Sequence, residues 1–333
     1  MNKPPPVSAR DSGGAFTIDN PDDGTPIREM FALGNGLLIL SEQCTYRIQM
    51  ADQIDPERIN PSLPHNFQQK LFDQGTKSRL LCKTLLQAKT MFRKEFQTID
   101  IEKAMHCALD ALGNLISMDE IAEKFTADEK AAIAKAQKNR SKDASMTVPS
   151  VGNVRAECKS FSQKADHFAV SLMNIVRLFY PEMAGQNWKD LRDLAKARYG
   201  ENDEFFKLLV PAATFLKFIR DARDCLEHAN LEGAKTRDFE PEPNGTIAPP
   251  TIEIDFRQSV QDRCSISSFM RGVTQAMPDY FEMIVVHMCS KSIKPFAGMP
   301  LVVGELSQEV QNAWHVRFAY GSYDQGGQFI PCG

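Results

Sequence analysis

The residues best equipped for chemistry lie in one short run, Arg220-Asp221-Ala222-Arg223-Asp224-Cys225-Leu226-Glu227-His228. Laid on a helix, Phe215, Phe218, Ile219, Ala222, Cys225 and Leu226 fall on one apolar arc, and Arg220, Arg223, Asp224, Glu227 and His228 fall on the other side. Arg220, Asp224 and His228 repeat at i, i+4, i+8, and Glu227 follows Arg223 at i+4. A helix C-terminus attracts positive charge, and a carboxylate one turn away does the same. An imidazole placed there is suited to taking and giving a proton near neutral pH. A neighbouring guanidinium can grip a phosphate with two parallel hydrogen bonds and offset negative charge building at phosphorus. Histidine and arginine together suffice for internal transesterification of RNA, in which the 2′-hydroxyl is the nucleophile and no metal is needed. The same stripe is also what a solvated helix face looks like, with weak i, i+4 ion pairs and a histidine that caps carbonyls.

A second basic feature spans 70–94, with Lys77, Arg79, Lys83, Lys89 and Arg93 among its cations and Asp73 as its only local acid for most of its length. It could follow a phosphate backbone, or be a solvated face. The whole chain does not advertise a nucleic-acid binder, since its net charge is −4; a local patch would be enough. Eight cysteines form no C-x-x-C pair, and the histidines form no H-E-x-x-H or paired metal spacing. No metal and no cofactor is therefore expected, and the thiols read as reduced core residues. The N-terminus lacks the apolar core of a signal peptide, and no run approaches membrane-spanning length. The expected setting is soluble and cytoplasmic, with no membrane partner.

Among the elements that must carry these residues, 1–24 reads as a flexible lead-in rich in Pro, Gly, Asp and Ser. Apolar spacings suggest helix over 27–53, with Gly34 and Gly36 weakening its middle, and a long helix over 67–96. A helix over 100–116 follows, then Ser117–Glu120 and Thr126–Glu129 resemble capping boxes ahead of short helices at 121–125 and 130–139. The polar stretch 140–153 reads as a linker between an N-terminal helical region (25–139) and a second helical domain (154–294). Helices are expected over 154–180, 188–197, 203–230 and 265–290. Ile252, Ile254 and Phe256 alternate as in a strand over 251–256, and the tail 295–333 carries short strands near 313–320 and 328–330. The predicted class is mainly α, helical bundles with a small β appendage.

The run Phe218–His228 resembles the signature of HEPN (higher eukaryotes and prokaryotes nucleotide-binding) domains: an arginine, commonly a polar residue, and a histidine after four to six positions. Arg223-Asp224-Cys225-Leu226-Glu227-His228 fits with four intervening residues. The match covers this motif and the compatible helices at 154–180 and 265–290. It implies a helical, usually dimeric protein. Active members cut RNA without metal, at a cleft where two subunits bring Arg and His together. By that resemblance His228 is the acid/base group, Arg223 the phosphate ligand and Asp224 the orienting residue, with Arg220 and Glu227 in support. On an ideal helix Arg223 and His228 stand about 140° apart, which suits a site shared by two copies and makes Arg220 a rival phosphate ligand. A toxin or defence effector with an antitoxin or regulatory partner is the setting that follows. The alternative is a non-catalytic helical binding or regulatory protein.

Overall fold

The computed structural model describes residues 24–60, 62–138, 146–228, 233–294 and 300–332. About 52% of the chain is helix and 21% strand, so the class is mixed α and β rather than mainly α with one appendage. The expected flexible lead-in lies outside the described residues apart from Gly24.

The largest departure is at the N-terminal end. Instead of a helix over 27–53, the chain forms β1 (Ile27–Leu33), β2 (Gly36–Ser41) and β3 (Thr45–Met50), then a single turn α1 (Ala51–Ile54) and β4 (Asn66–Phe72). These strands pair antiparallel in the order β1-β2-β3-β4. The cause is Gly34-Asn35, a two-residue loop closed by Leu33 opposite Gly36. Gly34 has φ +57°, the left-handed conformation that lets so short a loop match the twist of the strands it joins. The apolar residues 37–40 are thus a buried strand, not a helical stripe.

Gly75 shows how tightly the next loop is laid down. A Cβ there would sit 2.4 Å from Gln43 N, Glu42 C and Ser41 O, all backbone atoms that cannot swing away. Gly75→Ala is expected to cost roughly 1–3 kcal/mol. The expected reading is a lower urea midpoint at unchanged m-value; an unshifted midpoint would show that this loop yields freely.

The helix expected over 67–96 shrinks to α2 (Arg79–Leu81) and α3 (Gln87–Met91), joined through a π-helical turn at Cys82–Leu86. The three helices expected over 100–139 are one, α4 (Ile101–Lys138). The supposed caps fail because their hydroxyls point backward: Ser117 Oγ donates to Gly113 O (3.0 Å) and Thr126 Oγ1 to Ala122 O (2.8 Å), bonds compatible with an unbroken helix.

The later helices match expectation apart from their ends. They are α5 (Val154–Phe179), α6 (Trp188–Tyr199, after a 3₁₀ turn at Pro181–Met183), α7 (Glu204–Glu227) and α8 (Ile266–Lys291). Asn187 caps α6, accepting from Lys189 N and Asp190 N, and Asp203 and Ser265 cap α7 and α8. Phe161, Phe168, Phe205 and Phe281 are wholly buried between them, with Phe168 and Phe281 rings 6.1 Å apart. One contiguous set of buried apolar side chains runs from Leu33 to Tyr320, on both sides of 140–153. Within that stretch, Ser150 Oγ and the Val151 and Gly152 amides all donate to the Asp238 carboxylate.

Between α7 and α8 the chain forms β5 (Ala234–Arg237), β6 (Glu240–Pro241), β7 (Ile247–Ala248), β8 (Thr251–Phe256) and β9 (Ser259–Ser265). The sheet order is β5-β8-β9, with β6 and β7 paired separately. The expected strand at 251–256 is β8. The tail is more ordered than expected: β10 (Val302–Glu305), α9 (Gln308–Trp314), β11 (Phe318–Tyr323) and β12 (Phe329–Pro331). It is tied to the helices by buried polar groups. Tyr320 donates to Met91 O (2.8 Å) and accepts from Gln97 Nε2 (2.7 Å), while the Gln87 amide pairs with the Arg317 and Phe318 backbone.

Glu282 of α8 is buried and faces Lys83 at 3.2 Å. Burial raises its pKa above the usual carboxylate range, although Lys83 and Arg317 oppose the shift. The folded state therefore holds this proton to higher pH than the unfolded chain does. The resulting stability is present below the ordinary glutamate pKa and is lost as pH rises through the folded one. Glu282→Gln, neutral throughout, should raise the melting temperature at pH 7 and lose that advantage near pH 4. A variant less stable than wild type at pH 7 would mean that the Lys83 pair outweighs desolvation.

Among the described residues no helix is long and apolar enough to cross a membrane.

Candidate functional site at the end of α7

The run 220–228 occupies the last two turns of α7, whose apolar arc, Ile219, Ala222, Cys225 and Leu226, is buried against its neighbours. Arg223 leaves the helix toward α5. Its Nε and one terminal nitrogen reach Asp166 Oδ2 at 3.2 and 3.1 Å, and its other terminal nitrogen reaches Asp224 Oδ1 (3.0 Å) and Glu227 Oε2 (3.2 Å). Asp166 is buried, and Arg223 bridges it to the rim, where Gln163 also donates to Glu227 (3.1 Å). Asp224 takes a second cation, Arg257, at 3.1 Å. The cluster thus sets two guanidinia against three carboxylates. Fixed by opposite charges on both edges, Arg223 has a defined plane, but its hydrogen-bonding edges are already used.

His228 is the C-cap residue, exposed, with its backbone N–H donating to Asp224 O at 3.1 Å. The bland role for a terminal histidine, satisfying the last carbonyls, is taken by another residue. Arg155, from the first turn of α5, donates to Cys225 O (3.2 Å), Leu226 O (3.5 Å) and Ala234 O (3.3 Å). Among the described residues the His228 imidazole makes no hydrogen bond. Arg223 and His228 both stand at this end of α7, and neither lines the hollow between α5, α6 and α7.

Arg220 points elsewhere, into a concavity between α5, α6 and α7, and takes no ion pair among the described residues. Lys217, one turn before Asp221, joins it in clamping the β8–β9 hairpin: Lys217 reaches Asp221 Oδ2 (2.5 Å) and Arg257 O (2.8 Å), and Ser259 Oγ donates to Asp221 (2.6 Å). Cys225 is buried, which pushes its thiol up to about 11, so it offers no thiolate nucleophile at neutral pH. The other seven cysteines are also unpaired as disulfides.

The basic run 70–94 is not a free cationic track. Lys77 pairs with Glu42, Arg79 and Lys83 with Asp279, Lys89 with Glu29 and Arg93 with Glu95. Among the described residues no cluster of His, Cys, Asp and Glu is placed to hold a metal ion.

Sequence reading missed Asp166 and Arg155, which do most to set the local electrostatics. Asp166 did carry a signal: it lies on the helix edge of Ser162, Ala169 and Met173, all buried, where a carboxylate requires a partner. Compared with protein-family models, with curated proteins and with solved structures, the chain matches none.

Proposed function

We propose that this chain is a HEPN-like endoribonuclease whose site is completed when two copies bring their α7 ends together. The observation carrying the reading is an exposed imidazole at the end of α7 that the helix does not need, because Arg155 already holds the terminal carbonyls. In the reaction, the His228 imidazole takes the proton of a ribose 2′-hydroxyl, and that oxygen bonds to the adjacent phosphorus. The bond from phosphorus to the 5′-oxygen breaks, and this oxygen leaves with a proton from an imidazolium, giving a 2′,3′-cyclic phosphate. Arg223 supports charge on the phosphoryl oxygens once the phosphate displaces Glu227, the most exposed of its three carboxylates. A toxin or defence effector restrained by a partner is a setting consistent with such an activity.

The test uses full-length protein with single-stranded RNA in EDTA. Cleavage with a 2′,3′-cyclic phosphate product, and none of a fully 2′-deoxy substrate of the same sequence, is the expected result. Intact RNA over hours at micromolar enzyme, or equal cutting of the deoxy strand, would end the proposal. A second reading rests on the saturation of Arg223 by carboxylates: a non-catalytic helical binding protein in which the motif is a structural clamp.

A further inference from the structure

The concavity that receives Arg220 has a volume of about 480 Å³, within the range of small-ligand sites. Five cationic residues line it: Arg177 from α5, Lys189 and Arg192 from α6, and Lys217 and Arg220 from α7. Arg192 is paired with Asp193 and Lys217 with Asp221. Arg177, Lys189 and Arg220 take no ion pair among the described residues. Arg177 Nε is buried without a hydrogen-bond partner, while the two terminal nitrogens donate to Asn174 Oδ1 (3.0 Å) and Gln186 O (3.4 Å) and fix the guanidinium in place. Like charges around one hollow repel. An anion seated among the unpaired cations relieves that repulsion. The lining carboxylate, Asp166, is already engaged by Arg223. The capped first turn of α6, Asn187 to Lys189, borders the same hollow and adds its positive dipole end.

We infer that this pocket binds a small organic phosphate monoester. Two guanidinia and an ammonium without ion-pair partners suit a group carrying nearly two negative charges at neutral pH. One wall of the lining is apolar, with Ala169, Val170, Met173, Ala213, Leu216 and Trp188 beside the polar Gln186, Asn187 and Thr214, and would hold a compact apolar or aromatic body attached to the phosphate. Its concave form, closed in by three helices, fits a discrete ligand better than a strand of nucleic acid. The site is separate from His228, so its fate does not decide the nuclease proposal.

Calorimetric titration of the full chain with phenyl phosphate, inorganic phosphate and an RNA hexamer tests this. Phenyl phosphate should bind about tenfold tighter than inorganic phosphate, through the apolar wall. The double variant Arg220→Gln, Lys189→Gln alters two exposed side chains and removes two like charges from the hollow, so without ligand it should melt at or slightly above wild type. It should bind phenyl phosphate at least about tenfold more weakly, the equivalent of losing one charge-assisted hydrogen bond. Three results would each overturn the inference: no phenyl phosphate binding at millimolar concentration, binding unchanged in the double variant, or tighter binding of the RNA hexamer with displacement of phenyl phosphate.

Discussion

His228→Ala is expected to lower RNA cleavage by about 10²–10⁴-fold, the usual worth of a positioned general acid or base. It should leave the melting temperature where it was. The side chain is exposed and makes no hydrogen bond among the described residues, and Arg155 rather than the imidazole holds the last carbonyls of α7, so no described contact depends on it. That separation makes the variant informative: lost activity with intact stability cannot be blamed on unfolding. If cleavage needs His228 of one copy and Arg223 of the other, mixing His228→Ala with Arg223→Lys should restore activity. Random re-pairing gives about a quarter of the wild-type rate, from the one intact site in each mixed dimer. Wild-type cleavage by His228→Ala would remove the imidazole from the mechanism. Loss of cleavage without restoration on mixing would place both groups in the same half-site, or require all four residues at once.

The helices that carry the motif were legible because their signals agree with one another. In α7 and α8 a long apolar period runs between a capping residue and a polar stop, in α5 such a period ends at Pro181, and the same residues form the buried core. The strands were hidden for local reasons. Gly34-Asn35-Gly36 sits among apolar residues whose short run fits either a helix or a buried strand, and only the turn decides. The β8–β9 hairpin turns at Arg257-Gln258, two residues with φ +48° and +69° where glycine or asparagine is usual, so no turn signal marks it. At the site, residue types and helix position could be read along one segment. The charges that decide what Arg223 can do could not, because Asp166 and Arg155 come from α5, more than fifty residues upstream. The run at 70–94 failed for the same reason. Its partners Glu29, Glu42, Asp279 and Glu282 are brought to it by the fold, and a window of sequence cannot see them.

Arg223→Ala should destabilise the protein by about 2–4 kcal/mol, somewhat less than breaking a fully buried ion pair costs, because the Arg223 side chain remains 26% exposed. The loss comes less from the missing contact than from what it leaves behind: Asp166, buried with no other cation within ion-pair distance among the described residues, and facing Glu227 and Asp224 without the positive charge between them. Asp166→Asn in the same background should recover a large part of the stability, and the double-mutant cycle should give a coupling above about 1 kcal/mol. Failure to cleave RNA by Arg223→Ala would therefore say little about catalysis. Arg223→Lys is the sharper probe, since an ammonium keeps Asp166 paired but cannot offer two parallel donors to a phosphate. Near-wild-type melting with strongly reduced cleavage would assign Arg223 to the reaction. Near-wild-type melting with full cleavage would make it a clamp between α5 and α7 and leave phosphate recognition to other groups. Denaturant melts and initial rates on the same preparations separate these outcomes, because the clamp reading predicts that only variants losing the charge at 223 lose anything at all.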